Sequence, residues 1–257
     1  MNRIDKLFIT KKTGILSVYF TAGYPAPGST TKIVTALEEN GADMIEIGIP
    51  FSDPVADGPV IQKSSHRALQ NGMSLEVLLN RLSEIRNNVT IPLILMGYFN
   101  PVLQFGMEKL CSRLNRIGID GLIIPDLPPE EYAKKYRNLF RDHNIHNILL
   151  VTPQTPDERI RTLDDLSSGF LYLVSASSTT GGKLSMDTGQ KAYFSRVAAM
   201  GLSNPLMIGF GISDRESLDA AYQYAAGGII GSAFIRALEN RDCAPEENVK
   251  IFMNKLR

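Results

Sequence analysis

The chain has 257 residues, 44% of them hydrophobic, and its 27 basic residues balance 27 acidic ones. That length buries a full core and suits one α/β barrel or a small two-domain protein, while balanced charge with scattered Lys and Arg argues against a binder of nucleic-acid backbones. Cys111 and Cys243 are lone thiols without metal-ligand spacing, as expected in a reducing compartment and not in a disulfide scaffold.

In chain order, MNRIDKLFITKK has neither a long apolar core nor a small-residue cleavage site. It reads as neither signal peptide nor membrane span, and a soluble, cytoplasmic protein is expected. Residues 2–10 suit a short amphipathic helix capping the bottom of the fold. Apolar, β-branched runs then predict strands at 15–20, 43–48, 92–97, 120–125, 146–151, 169–175, 205–210 and 227–232. Several are apolar throughout, as parallel strands covered on both faces are, and the amphipathic segments between them complete βα units. Eight such units without a linker predict a single (β/α)₈ TIM barrel over 1–257 with an extra N-terminal helix. A doubly wound sheet fits less well, because the first glycine-rich turn lacks a dinucleotide fingerprint.

The active end of such a barrel lies at the C-terminal ends of its strands. There the second unit is the most informative: Glu46 interrupts an apolar strand two residues before its end, and the loop after it carries Asp53 and Asp57 between Pro50, Pro54 and Pro59. A carboxylate in an apolar run needs a partner or a shifted pKa, and prolines stiffen a loop. The pair therefore reads either as proton-transfer chemistry or as a core ion pair beside two turn-forming acids. TAGYP (21–25), GYFNP (97–101), Asp126 and TPQTP (152–156) fall at the same end, and the glycine-rich, polar stretch 175–185 reads as a lid. GFGIS (209–213), with Ser213 expected to cap a helix beginning at Asp214, and GGIIGSAF (227–234), with Gly231 and Ser232 opening another, suit a phosphate site, which Gly181 and Gly182 could close over. His66, His143 and His146 are scattered and do not form a metal cluster. With no G-x-S-x-G elbow and no Lys late in a strand, acid–base chemistry on a phosphorylated small molecule is left.

The stretch IEIGIPFSDPVADGPVIQ (45–62), with YFTAGYP (19–25), LMGYFNP (95–101), GLIIPDLPPEE (121–131), GFGIS and IIGSAF in the same order, resembles the tryptophan synthase alpha chain family. The resemblance implies retro-aldol cleavage of indole-3-glycerol phosphate to indole and glyceraldehyde 3-phosphate, without a cofactor or metal in this chain. It places the family's catalytic glutamate on Glu46, its catalytic aspartate on Asp57 and its lid threonine on Thr180. Phosphate contacts fall on Gly181, Gly209, Gly211, Gly231 and Ser232. Tyr172 falls near the glutamate, and Tyr19, Met96 and Phe210 become walls for the indole ring. It further implies an α₂β₂ heterotetramer with a tryptophan synthase beta chain that carries pyridoxal phosphate, docked near Asp53, 98–101 and 126–131. One patch departs: SASSTTG (175–181) replaces an S-R-x-G-V-T-G pattern, with Ala176, Ser178 and Thr179 at changed positions. The alternatives are another phosphate-binding barrel enzyme, or a degenerate subunit that only activates a beta chain.

Overall fold

Apolar runs bounded by Gly and Asp leave no polar face, so their strands need cover on both sides, and a parallel sheet wrapped by helices supplies it. The computed structural model describes residues 1–175, 188–209, 211–240 and 242–256. Its strands are β1 (Ile15–Thr21), β2 (Met44–Gly48), β3 (Leu93–Met96), β4 (Gly121–Ile123), β5 (His146–Asn147), β6 (Leu149–Val151), β7 (Leu171–Val174), β8 (Leu206–Gly209) and β9 (Gly227–Ile230). All pair in parallel in the order β5-β4-β3-β2-β1-β9-β8-β7-β6. The architecture is the expected TIM barrel.

The run 146–151, expected as one strand, is divided. His146 and Asn147 pair with β4, whereas Leu149–Val151 pair with β7, so one stretch of chain supplies both edges of the sheet and nearly closes it. The change of partner falls at residues 147–149. The carbonyl of Asn147 accepts from Ser168 N and Ser167 Oγ, and Leu149 N donates to the same Ser167 hydroxyl at 3.1 Å. Ser167 thus bonds backbone groups of residues 147 and 149 where the ladder partner changes from β4 to β7.

Around the sheet, after the N-terminal helix α1 (Arg3–Thr10), run α2 (Ser29–Glu39), α3 (Pro59–Gln70), α4 (Leu75–Arg81), α5 (Phe99–Phe105), α6 (Met107–Ile117) and α7 (Pro129–Glu131). A π turn (Tyr132–Tyr136) continues α7 into α8 (Arg137–Asp142). Then come α9 (Asp157–Leu166), α10 (Thr188–Ala198), α11 (Arg215–Tyr222), α12 (Ser232–Ala237) and α13 (Pro245–Asn254), which packs on α2. Among the described residues no helix is long and apolar enough to cross a membrane.

The bottom is sealed as expected. Helix α1 (Arg3–Thr10) is capped by Asn2, whose side chain accepts from Ile4 N and donates to the carbonyls of Asp120 and Asn144. Ile4 is fully buried, and Phe8 packs against Phe170 just before β7. Beside this plug Asp120, 3% exposed, accepts from Arg86 Nη2 (2.6 Å), Arg3 Nη1 (3.0 Å) and Leu93 N (2.9 Å). That network ties the starts of β3 and β4 to α1, at the end of the barrel where such folds keep stability rather than chemistry.

Candidate active site

Strand β2 brings Glu46 into register with Tyr19 on β1 and Ile94 on β3. The side chain is fully buried. Ser17 Oγ, from β1, donates to its Oε1 at 2.9 Å, while Oε2 has no hydrogen-bond partner among the described residues. No Arg or Lys among them pairs with it, so the core ion pair is set aside. Burial without a counter-charge favours the neutral acid and pushes the pKa up to about 8, against a smaller opposing effect of the Ser17 hydrogen bond.

The loop after β2 is anchored at two places. Phe51 exchanges hydrogen bonds with Ser65 Oγ of α3, and its ring stacks on Tyr98 at 5.1 Å. Tyr98, at the start of α5, accepts from Ala56 N and donates its own hydroxyl proton to Asp57 Oδ2 at 3.0 Å. Asp57 is half-buried, and desolvation raises its pKa to about 6 even though the Tyr98 bond works the other way. Asp53 differs: it is exposed and bonded to the neighbouring Ser52.

Two tyrosines interact electrostatically with both acids, each lying where a side chain is missing. A Cβ on Gly48 would fall 2.2 Å from the Tyr19 hydroxyl oxygen, and one on Gly209 would fall 2.1 Å from that of Tyr172. Each phenol thus leans diagonally from its strand onto a glycine of the next, Tyr19 from β1 to β2 and Tyr172 from β7 to β8. Both phenols are buried and held well above the ordinary tyrosine pKa, first by desolvation and then by the charges of Glu46 and Asp57. The two acids and two phenols therefore share one electrostatic enclosure. Met96 ends β3 in register with Gly48 and is half-buried.

The glycine-rich ends are in place. Gly209 ends β8, Gly211 follows at φ +79°, and Gly231 and Ser232 begin α12 against the Tyr19 ring. One local expectation is corrected: α11 is capped by Asp214, not Ser213. The Asp214 carboxylate accepts from Ser217 N while Ser217 Oγ accepts from Asp214 N, and this box starts the helix at Arg215. Thr180, Gly181, Gly182, Phe210 and the changed positions Ala176, Ser178 and Thr179 lie outside the described residues. The three histidines are dispersed, with His66 beside Gln70, His143 on the Leu139 carbonyl and His146 on Asp5. Among the described residues no three His, Cys, Asp or Glu side chains gather to hold a metal.

Sequence reasoning passed over Ser17 and gave Tyr98 only a place among docking residues. A polar residue inside an otherwise apolar strand was the available signal for Ser17. Nothing local signals that Tyr98 reaches Asp57.

The arrangement favours the protonated form of a buried Glu46 more than of Asp57, beside two buried phenols at the glycine-bearing ends of β2 and β8. Comparison with known proteins identifies the family. The family model described as tryptophan synthase alpha chain matches residues 7–256. The tryptophan synthase alpha chain of Parabacteroides distasonis is 49% identical over the whole of both chains, and that of Flavobacterium psychrophilum 54% identical over 93% of this chain and 94% of its own. Among solved structures, tryptophan synthase subunit alpha from Legionella pneumophila superposes with a TM-score of 0.89 at 34% identity, covering 100% of this chain and 97% of that one. The tryptophan synthase complex of Pyrococcus furiosus gives 0.86 at 34%, covering 96% and 98%. The chain belongs to the tryptophan synthase alpha chain family.

Proposed function

We propose that this chain, as one barrel domain over 1–257, is the lyase that splits indole-3-glycerol phosphate into indole and glyceraldehyde 3-phosphate. The observation that carries the reading is geometric: Glu46 is fully buried with Oε2 unpartnered among the described residues, while Asp57, on the loop after the same strand, is held by Tyr98, and burial raises the pKa of Glu46 more than that of Asp57. Environments that push the pKa values of two carboxyls apart assign acid and base.

The chemistry then runs as follows. The Glu46 carboxyl gives its proton to the indole carbon that bears the glycerol chain, and positive charge develops at the ring N–H, where Asp57 carboxylate stabilises it. Glu46, now ionised, takes the proton of the adjacent hydroxyl. As that O–H bond breaks, the aldehyde C=O forms, and the pair from the cleaved carbon–carbon bond returns to the ring. Glu46 ends protonated again and the two products together have the composition of the substrate. Tyr19, Tyr172 and Met96 line the ring site, to which the family resemblance adds Phe210. The phosphate is held by backbone N–H groups at Gly209, Gly211, Gly231 and Ser232, to which the family resemblance adds Thr180 and Gly181. The chain needs no cofactor or metal in this reaction. Indole passes to a pyridoxal-phosphate-bearing beta chain docked on the same face in an α₂β₂ assembly, in the cytoplasm.

Indole release by the purified chain, alone and with a matched beta chain, tests this directly. Slow release alone and faster release with the partner are expected. Glu46→Gln should bind substrate yet lose nearly all turnover, since a general acid–base group contributes about 10²–10⁴ in rate. Retention of more than about a tenth of the activity removes Glu46 from the central role. Asp57→Asn should be severely impaired, and near-wild-type turnover would return that loop to architecture.

A further inference from the structure

Strand β1 reads Ile-Leu-Ser-Val-Tyr-Phe-Thr and is buried along its length. Within it Ser17 is fully buried, and its hydroxyl makes one hydrogen bond among the described residues, to Glu46 Oε1 at 2.9 Å. An Ala or Val there would fill strand and core without burying a hydroxyl. The hydroxyl reaches across to the neighbouring strand and engages one oxygen of a carboxyl whose other oxygen is left unengaged.

We infer that Ser17 is a positioning residue: its hydroxyl fixes Glu46 Oε1 as the accepting oxygen, so that Oε2 is the oxygen that gives and takes the proton. The inference rests on the lyase reading of this site. In that reaction one group gives a proton to ring carbon and then takes one from the hydroxyl. With Oε1 held, the Oε2–H bond breaks as the ring C–H bond forms. The hydroxyl O–H then breaks as Oε2–H re-forms, and the carboxyl need not turn over between the steps. Without the Ser17 donor the two oxygens are equivalent and the carboxyl is free to rotate, so the proton is presented in more than one direction.

The groups that bear on Glu46 are few, which makes the inference readable by titration. Tyr19 stands two residues along the same strand as Ser17, Tyr172 faces it from β7, and Asp57 lies on the loop after β2. Both phenols remain neutral while Glu46 titrates, and Asp57 is already ionised above about 6. The alkaline limb of the rate profile therefore belongs to Glu46. Because Ser17 favours the ionised form, removing it moves that limb upward.

The test uses the full chain with Ser17→Ala and Ser17→Thr, the latter keeping the hydroxyl. Two quantities are followed in each: the Glu46 carboxyl by ¹³C NMR across pH, assigned from the resonance lost in Glu46→Gln, and the rate of indole release. For Ser17→Ala we expect the carboxyl midpoint and the alkaline limb to rise together by about one pH unit, the size of one charge-assisted hydrogen bond. kcat should fall about tenfold or more, a part of the general-acid factor, with KM within about threefold. Ser17→Thr should restore all three. A moved midpoint with unchanged kcat overturns positioning, as does a Ser17→Ala profile that superposes on wild type. A wild-type chain that releases no indole while Glu46 titrates near 8 overturns the lyase reading itself, and with it the role of Ser17. The NMR midpoint separates these failures.

Discussion

Replacing Glu46 with Gln should make the protein more stable, and only at high pH. The folded pKa of Glu46 lies near 8 against an ordinary 4.5, so between those values the unfolded chain ionises while the native chain stays protonated. The unfolded state then binds fewer protons, and unfolding becomes easier as pH rises. At about 1.4 kcal/mol per pKa unit, the loss between pH 5 and pH 8 comes to about 3 kcal/mol. Gln does not titrate, and its amide leaves a buried N–H as unpartnered as the O–H of the protonated acid. The variant should therefore match wild type within about 1 kcal/mol at pH 5 and exceed it by about 3 kcal/mol at pH 8, a rise of several degrees in Tm for a chain of this size. Thermal unfolding followed by circular dichroism at both pH values measures this, since the chain contains no Trp to report by fluorescence. An equal gain at pH 5 and pH 8, or none at either, would refute a raised Glu46 pKa as the cause.

Two further outcomes separate the ends of the barrel. Gly209→Ala places a Cβ 2.1–2.4 Å from three atoms of the Tyr172 ring, so the phenol must leave its position; overpacking of this kind costs about 1–3 kcal/mol. Indole release should fall at least tenfold, and a variant with wild-type kinetics would show that Tyr172 has no part in shaping the site. Asp120→Asn removes the counter-charge of Arg86, whose side chain is only 16% exposed, and should destabilise by about 3–5 kcal/mol while leaving kcat of the folded enzyme unchanged. Denaturant unfolding and a rate assay at low temperature check both halves.

The sequence read well where information was local. Apolar runs placed the strands because a doubly covered parallel strand has no polar face to confuse the pattern, and Glu46 stood out because a charge in such a run is costly. The failures were matters of pairing. Residues 146–151 read as one strand, but their ladder partner changes from β4 to β7, with the Ser167 hydroxyl from another segment bonded at the change. Ser17 lies 29 residues from Glu46 and Tyr98 lies 41 residues from Asp57, so neither partner can be read from the spacing around the acid. Asp214 and Ser213 are both good caps, and the choice fell to Asp214 through Ser217, a reciprocal bond visible only once the turn is built.

Those pairings also explain why burial alone does not mark a functional acid. Three carboxylates are buried among the described residues: Glu46, Asp120 and Asp164. Asp120 takes donors from Arg3, Arg86 and Leu93 N, and Asp164 takes them from Ser203 N, Asn204 N and Asn204 Nδ2. Glu46 takes one, from Ser17. Multiple donors engage the carboxylate oxygens and make the group a structural tie, whereas the single donor on buried Glu46 leaves one oxygen unengaged and the proton favoured. The two kinds respond oppositely to the same neutralising change: an amide at Asp120 strands donors and weakens the fold, while an amide at Glu46 relieves it above neutrality. The sign of the stability change, rather than burial or residue type, therefore distinguishes an acid that holds the barrel together from one whose proton is available for transfer.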